Sequence, residues 1–201
     1  MKISIFTFIA FLSTSVLAAP TSPSNVWKGK NEWWNWKKNK NVCDNEKRFP
    51  YEFTSTYHVV ATPDQVVNGT TQTGGLTGVK GFYELYLNSD DNLMCHYIRL
   101  DNFRGDYQSP AKTATHLHQA VRGASGPPRI AFPNPIYIEG KNERYSIGCQ
   151  KGPFSTGLNG SDGVDTGSGF YVRQIEDNPS AFFVDVHSSQ AVPGAVRGQI
   201  A

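Results

Sequence analysis

Past residue 17 the chain has no apolar run that approaches the roughly 20 residues a helix needs to cross a bilayer, so no helical membrane span is expected in the rest of its 201 residues. Cysteine is scarce: Cys43, Cys95 and Cys149 are the only three, and none has the Cys/His spacing of a closed structural zinc site. Serine and threonine are plentiful, but no Gly-x-Ser-x-Gly elbow occurs to support a hydrolase reading. Tryptophan is absent from the body of the chain, because Trp27, Trp33, Trp34 and Trp36 are all four it contains. Basic charge is also missing where a nucleic-acid surface would need it. From Phe49 onward 11 basic residues stand against 14 acidic ones, and phosphate binding loses its electrostatic basis.

What is present begins with an address. Lys2, the apolar run Ile3 to Phe11 and the small residues around Val16 and Ala18 have the three regions of a secretory signal peptide over 1–18, with cleavage expected after Ala18. Residues 19–48 form a Trp/Lys-rich leader, in which seven basic residues stand against three acidic ones. Its last two residues, Lys47 and Arg48, are a dibasic pair of the kind secretory proteases cut. The leader is read as a propeptide, with a retained arm or a tryptophan-based contact to sugar or membrane as alternatives. Asn68-Gly69-Thr70 and Asn159-Gly160-Ser161 are glycosylation sequons in Gly/Thr/Ser/Asp-rich stretches, in keeping with export.

The body, 49–201, reads as strands with period two. Tyr51, Phe53, Ser55, Tyr57, Val59 and Ala61 share one face of a strand that Pro63-Asp64 ends. Residues 82–87 and 93–100 form a hairpin around Asn88 to Asn92, and short strands follow at 129–132, 136–138 and 144–149. Residues 181–187 make a strand, and Pro193-Gly194 is expected to turn the chain into the last one. Val172 to Asp177 is the single helical turn. Many short strands between Gly, Pro and Asn turns predict an all-β fold, an antiparallel β-sandwich or open barrel.

An odd number of cysteines in an oxidising compartment leaves one bridge and one unpaired thiol. Cys95 and Cys149 both fall in strands, and a bridge between them closes a loop of about 55 residues, which contributes roughly 4 kcal/mol in the chain-entropy model. That pairing is expected, with Cys43 leaving with the leader. The alternative has Cys43 pairing with one of them or dimerising the chain.

His116 and His118 lie two residues apart in a strand and so leave one face of it. With His187, and with Asp185 or His96 as a fourth group, they form a candidate zinc or copper site. The other reading, which the sequence favours, has them hydrogen-bonding across the sheet with Asp185 as a partner. Arg197 is read as structural, forking onto Asp185 or onto backbone carbonyls. The lone Asp165-Thr166-Gly167 triplet is read as a loop, since a dyad protease site needs two such copies.

Thr113, Ala114, His116, His118, Gly126 and Pro127, together with Val184, Val186, His187, Pro193, Gly194, Arg197, Gly198 and Gln199, resemble the motifs of the CHRD domain over residues 50 to 201. The sequence departs at Gln119-Ala120, where glycine-proline is common, and at Asp185, where asparagine is common. The resemblance implies an all-β fold and a secreted, extracellular binding or structural module without catalytic activity. Its partner would be an unknown protein or cell-wall glycan. No cofactor is expected on that reading, and the rival reading is a zinc or copper protein built on the histidines.

Overall fold

The period-two segments fold as antiparallel strands, and the computed structural model, which describes residues 48–201, stacks them as two sheets. One sheet takes β1 (Ser55–Ala61), β4 (Lys80–Asn88), β5 (Leu93–Asp101), β8 (Ile136–Tyr137) and β9 (Glu143–Lys151) in the order β1-β4-β5-β9-β8. The other takes β6 (Thr115–Gln119), β7 (Pro128–Phe132), β10 (Phe182–Ser188) and β11 (Ala191–Gln199) in the order β11-β10-β6-β7. A small hairpin pairs β2 (Val67–Asn68) with β3 (Thr71–Gln72), and α1 (Arg173–Asp177) is the one α-helix among the described residues. The fold is an antiparallel β-sandwich and not a closed barrel.

Alternation decides what each sheet buries. Tyr83, Leu85 and Leu87 of β4 stand opposite Ile98, His96 and Met94 of β5, so these rows line one side of the core. Leu117, Ile130, Phe132, Val184, Val186 and Val196 line the other. The outer face of the first sheet carries a second, smaller cluster in which Phe49 and Phe53 pack on Tyr86 beside the Cys95–Cys149 disulfide. That bridge ties β5 to β9 at directly opposed positions.

The two sheets meet along one edge. Thr62, just past β1, exchanges backbone hydrogen bonds with Arg197 of β11 at 2.9 and 3.2 Å. Gly198 makes the approach tolerable: a Cβ there would lie 2.5 Å from Val59 Cγ1 and 3.0 Å from the Val60 carbonyl oxygen.

Two expectations are corrected. The first strand opens at Ser55, not at Tyr51, because Phe53 turns to the outer cluster and Tyr51 stands exposed. Pro193-Gly194 is not the turn between the last strands. The chain reverses at Ser189-Gln190, and Pro193 and Gly194 lie inside β11 where its register against β10 shifts. Gly194 has φ +144°, which the irregularity demands and glycine alone adopts freely. Cys43, Lys47 and the leader through residue 47 lie outside the described residues.

Candidate metal centre

The outward face of the second sheet carries polar side chains that are nonetheless buried. Across it the register aligns Ala131, His116, Asp185 and Arg197 in one row, and His118, Phe183 and Gln199 in the next. His187 follows Asp185 by two residues on β10 and therefore leaves the same face. Asp185 is thus flanked on three sides by imidazoles. Its Oδ1 lies 3.6 Å from His116 Nδ1 and 3.3 Å from His118 Nε2, and its Oδ2 lies 3.2 Å from His187 Nε2.

The far nitrogen of each ring is held by a backbone carbonyl. His116 Nε2 lies 2.7 Å from the Thr113 oxygen, His118 Nδ1 2.8 Å from the Gly126 oxygen, and His187 Nδ1 2.9 Å from the Val192 oxygen. A carbonyl only accepts, so in a neutral ring the far nitrogen carries the proton and the nitrogen facing Asp185 is a bare lone pair. With all three rings neutral, three lone pairs and a carboxylate converge with no donor among them; a proton on His187 supplies one, from its Nε2 to Asp185 Oδ2, and leaves the other two rings facing Oδ1 as before. His116 Nδ1, His118 Nε2 and Asp185 Oδ1 are buried without a hydrogen-bond partner. All four ligand atoms lie within 4.8 Å of one another.

The local sequence builds this arrangement. Gly126 allows the loop after β6 to fold back, since a Cβ there would run into the Gln119 carbonyl oxygen. The irregular stretch of β11 turns the Val192 carbonyl toward His187. Phe183 stacks on the His118 ring with centroids 4.8 Å apart and planes 7° apart, and the Arg197 guanidinium covers its other face at 3.5 Å. Arg197 donates to the Ala124 and Val121 carbonyls and to Gln199 Oε1, taking the backbone alternative of its two expected roles. Gln199 in turn donates to the Ala120, Ser180 and Phe182 carbonyls.

Burial and charge act against each other here. Burial works to raise the Asp185 carboxyl, but the facing His118 and His187 rings outweigh it and hold it well below the usual carboxylate range. Burial works to lower the His187 imidazole, but the Asp185 charge outweighs it and lifts it to about 9. Burial lowers His116, against the pull of Asp185. Two openings reach the cluster: a cleft of about 180 Å³ that His118, Asp185, His187 and Arg197 share with Val66 and Val67, and a wider groove of about 540 Å³ on the side of His116, Pro110 and Leu158.

The motif residues at this face fall within a longer match, in which a family model for the CHRD domain covers residues 57–200. The chain belongs to the CHRD domain family. No curated protein and no solved structure matches it. Within this CHRD domain His116, His118, Asp185 and His187 come together, while His96 does not join them. It lies on the inner face of the first sheet, against Phe132 and 3.1 Å from Ser146 Oγ. Asn68 and Asn159 occupy exposed positions. Asp165 accepts from the Thr156, Gly157 and Gly167 amides and from Ser155 Oγ, which makes it the organiser of its own loop. Of the residues whose carbonyls orient the histidines, Thr113 and Gly126 stand in the sequence motif without that role being legible, while Val192, and Phe183 beneath His118, carry no signal in the sequence. Backbone acceptors carry no sequence signal, and Phe183 looked like any strand aromatic.

Proposed function

We propose that this CHRD domain is an exported metal-binding module, in which His116, His118, His187 and Asp185 hold one zinc or copper ion. The observation that carries the reading is the set of three imidazoles whose outer nitrogens are occupied by carbonyls and whose inner nitrogens meet at a buried carboxylate, two of them with no hydrogen-bond partner. A single proton on His187 balances the carboxylate but leaves the buried His116 Nδ1 and His118 Nε2 lone pairs facing Asp185 Oδ1 unanswered, and protonating all three rings would bury more positive charge than one carboxylate balances. A divalent ion answers each lone pair. Carbonyl-held imidazoles are also how metal-ligating histidines are commonly fixed in one tautomer. Tetrahedral ligands at about 2.0–2.1 Å from zinc stand about 3.3 Å apart, close to the 3.2–3.6 Å between Asp185 and the rings.

Thermal melting tests this. Zinc at about 100 times its dissociation constant adds about 2.7 kcal/mol of stability, a rise in Tm of roughly 5–10 °C for a domain of this size. The wild type is expected to show that rise over the chelated protein, and His116→Ala and His118→Ala to show none. Equal melts with chelator and with zinc would instead favour histidines that only hydrogen-bond around Asp185. Export through residues 1–18 belongs to the same reading. N-terminal sequencing of protein recovered from the medium is expected to exclude Met1 to Ala18, and recovery with that segment intact would contradict it.

A further inference from the structure

Arg197 is the buried arginine of the second sheet. Its side chain is buried, yet no carboxylate pairs with it among the described residues; its donors go to two carbonyls and an amide oxygen. It is opposite Asp185 in the strand register but makes no ion pair with it, and both line the 180 Å³ cleft that reaches the histidines. The Phe183 ring, with Arg197 on one face and His118 on the other, fixes the guanidinium and the ligand ring as parts of one stack. The guanidinium therefore cannot swing away to solvent or across to the carboxylate without breaking that stack.

Charge decides what such a cleft takes. A divalent ion held by three neutral imidazoles and one carboxylate keeps a positive charge, and the arginine adds a second beside it. Two positive charges left in a buried cleft draw an anion, which the metal can take as a fifth ligand beside its four residues. The volume suits a molecule of a few atoms. Resting on the metal reading above, we propose that the loaded site binds a small monovalent anion in this cleft, between the metal and Arg197.

The test uses the whole exported protein loaded with cobalt(II), whose visible bands report its coordination, and azide as the probe in chloride-free buffer. Metal analysis comes first and is expected to give one cobalt per chain. Azide is then expected to shift the cobalt bands saturably, with affinity about tenfold weaker in Arg197→Gln. Near-UV circular dichroism shows whether that variant is folded. Ser125→Asp provides a second variant at an exposed position, since it adds a negative charge to the cleft wall while leaving Arg197 and the four ligands in place. It is expected to weaken azide severalfold. One cobalt per chain with no azide-dependent shift overturns the anion site and leaves the metal reading standing, as does a shift that the folded variants leave unchanged. A chain that takes up no cobalt overturns the metal reading and the anion site with it.

Discussion

His96 shows how a histidine behaves where no cation can answer it. It stands between Leu85 and Gly148 in the register, and the absent side chain of Gly148 leaves the space its ring fills, 3.4 Å from where a Cβ would be. Burial lowers its pKa to about 4. The sign follows from the ordinary value of about 6.5 in the unfolded chain: between those values the unfolded state binds the extra proton, so stability falls as pH drops from about 6.5 toward 4. The full effect is roughly 3 kcal/mol. His116, also lowered, acts in the same direction. Urea denaturation of the chelated protein across this pH range is expected to show the loss, with a shallower slope in His96→Leu; an unchanged slope in that variant would assign the acid sensitivity elsewhere. The cluster histidines differ from His96 in having a carboxylate among them, and in His187 the same burial is overcome.

At the level of strands, the last one serves both faces of its sheet. Val196 enters the core and Arg197 covers the site, while Gly198 lies against β1. Gly198→Ala is expected to destabilise the domain by about 1–3 kcal/mol, because its methyl group would meet Val59 and the β1 backbone with no room to retreat. A melt unchanged by the substitution would show that the sheets are less tightly joined than this. Much of this element was legible beforehand. Alternation placed His116 and His118 on one face and identified the strands on either side of the final reversal. The reversal itself is not legible, since Pro-Gly is a strong turn signal and only the pairing of β10 with β11 reveals that the chain has already turned at Ser189-Gln190. The position of Asp185 opposite His116 was not legible either, because register between strands distant in sequence depends on core packing that no local pattern encodes. For the same reason His96 looked available to the cluster, although its strand belongs to the other sheet.

Taken whole, the domain separates its tasks by surface. The space between the sheets is apolar apart from His96 and a few hydroxyls, the outer face of the first sheet carries the disulfide and a small aromatic cluster, and the outer face of the second holds the histidines beneath the loops that orient them. Those loops are fastened by the site itself, through His118 to Gly126, Arg197 to Val121 and Ala124, and Gln199 to Ala120. On the proposed reading, a metal held by His118 would therefore tighten this covering layer as well as the site. The most direct test is an anomalous difference map at the zinc edge from crystals grown with stoichiometric zinc. The account predicts a single strong peak bonded to His116 Nδ1, His118 Nε2, His187 Nε2 and an Asp185 oxygen at about 2.0–2.1 Å. A map with no peak among these atoms, and with His187 still paired to Asp185, would contradict it.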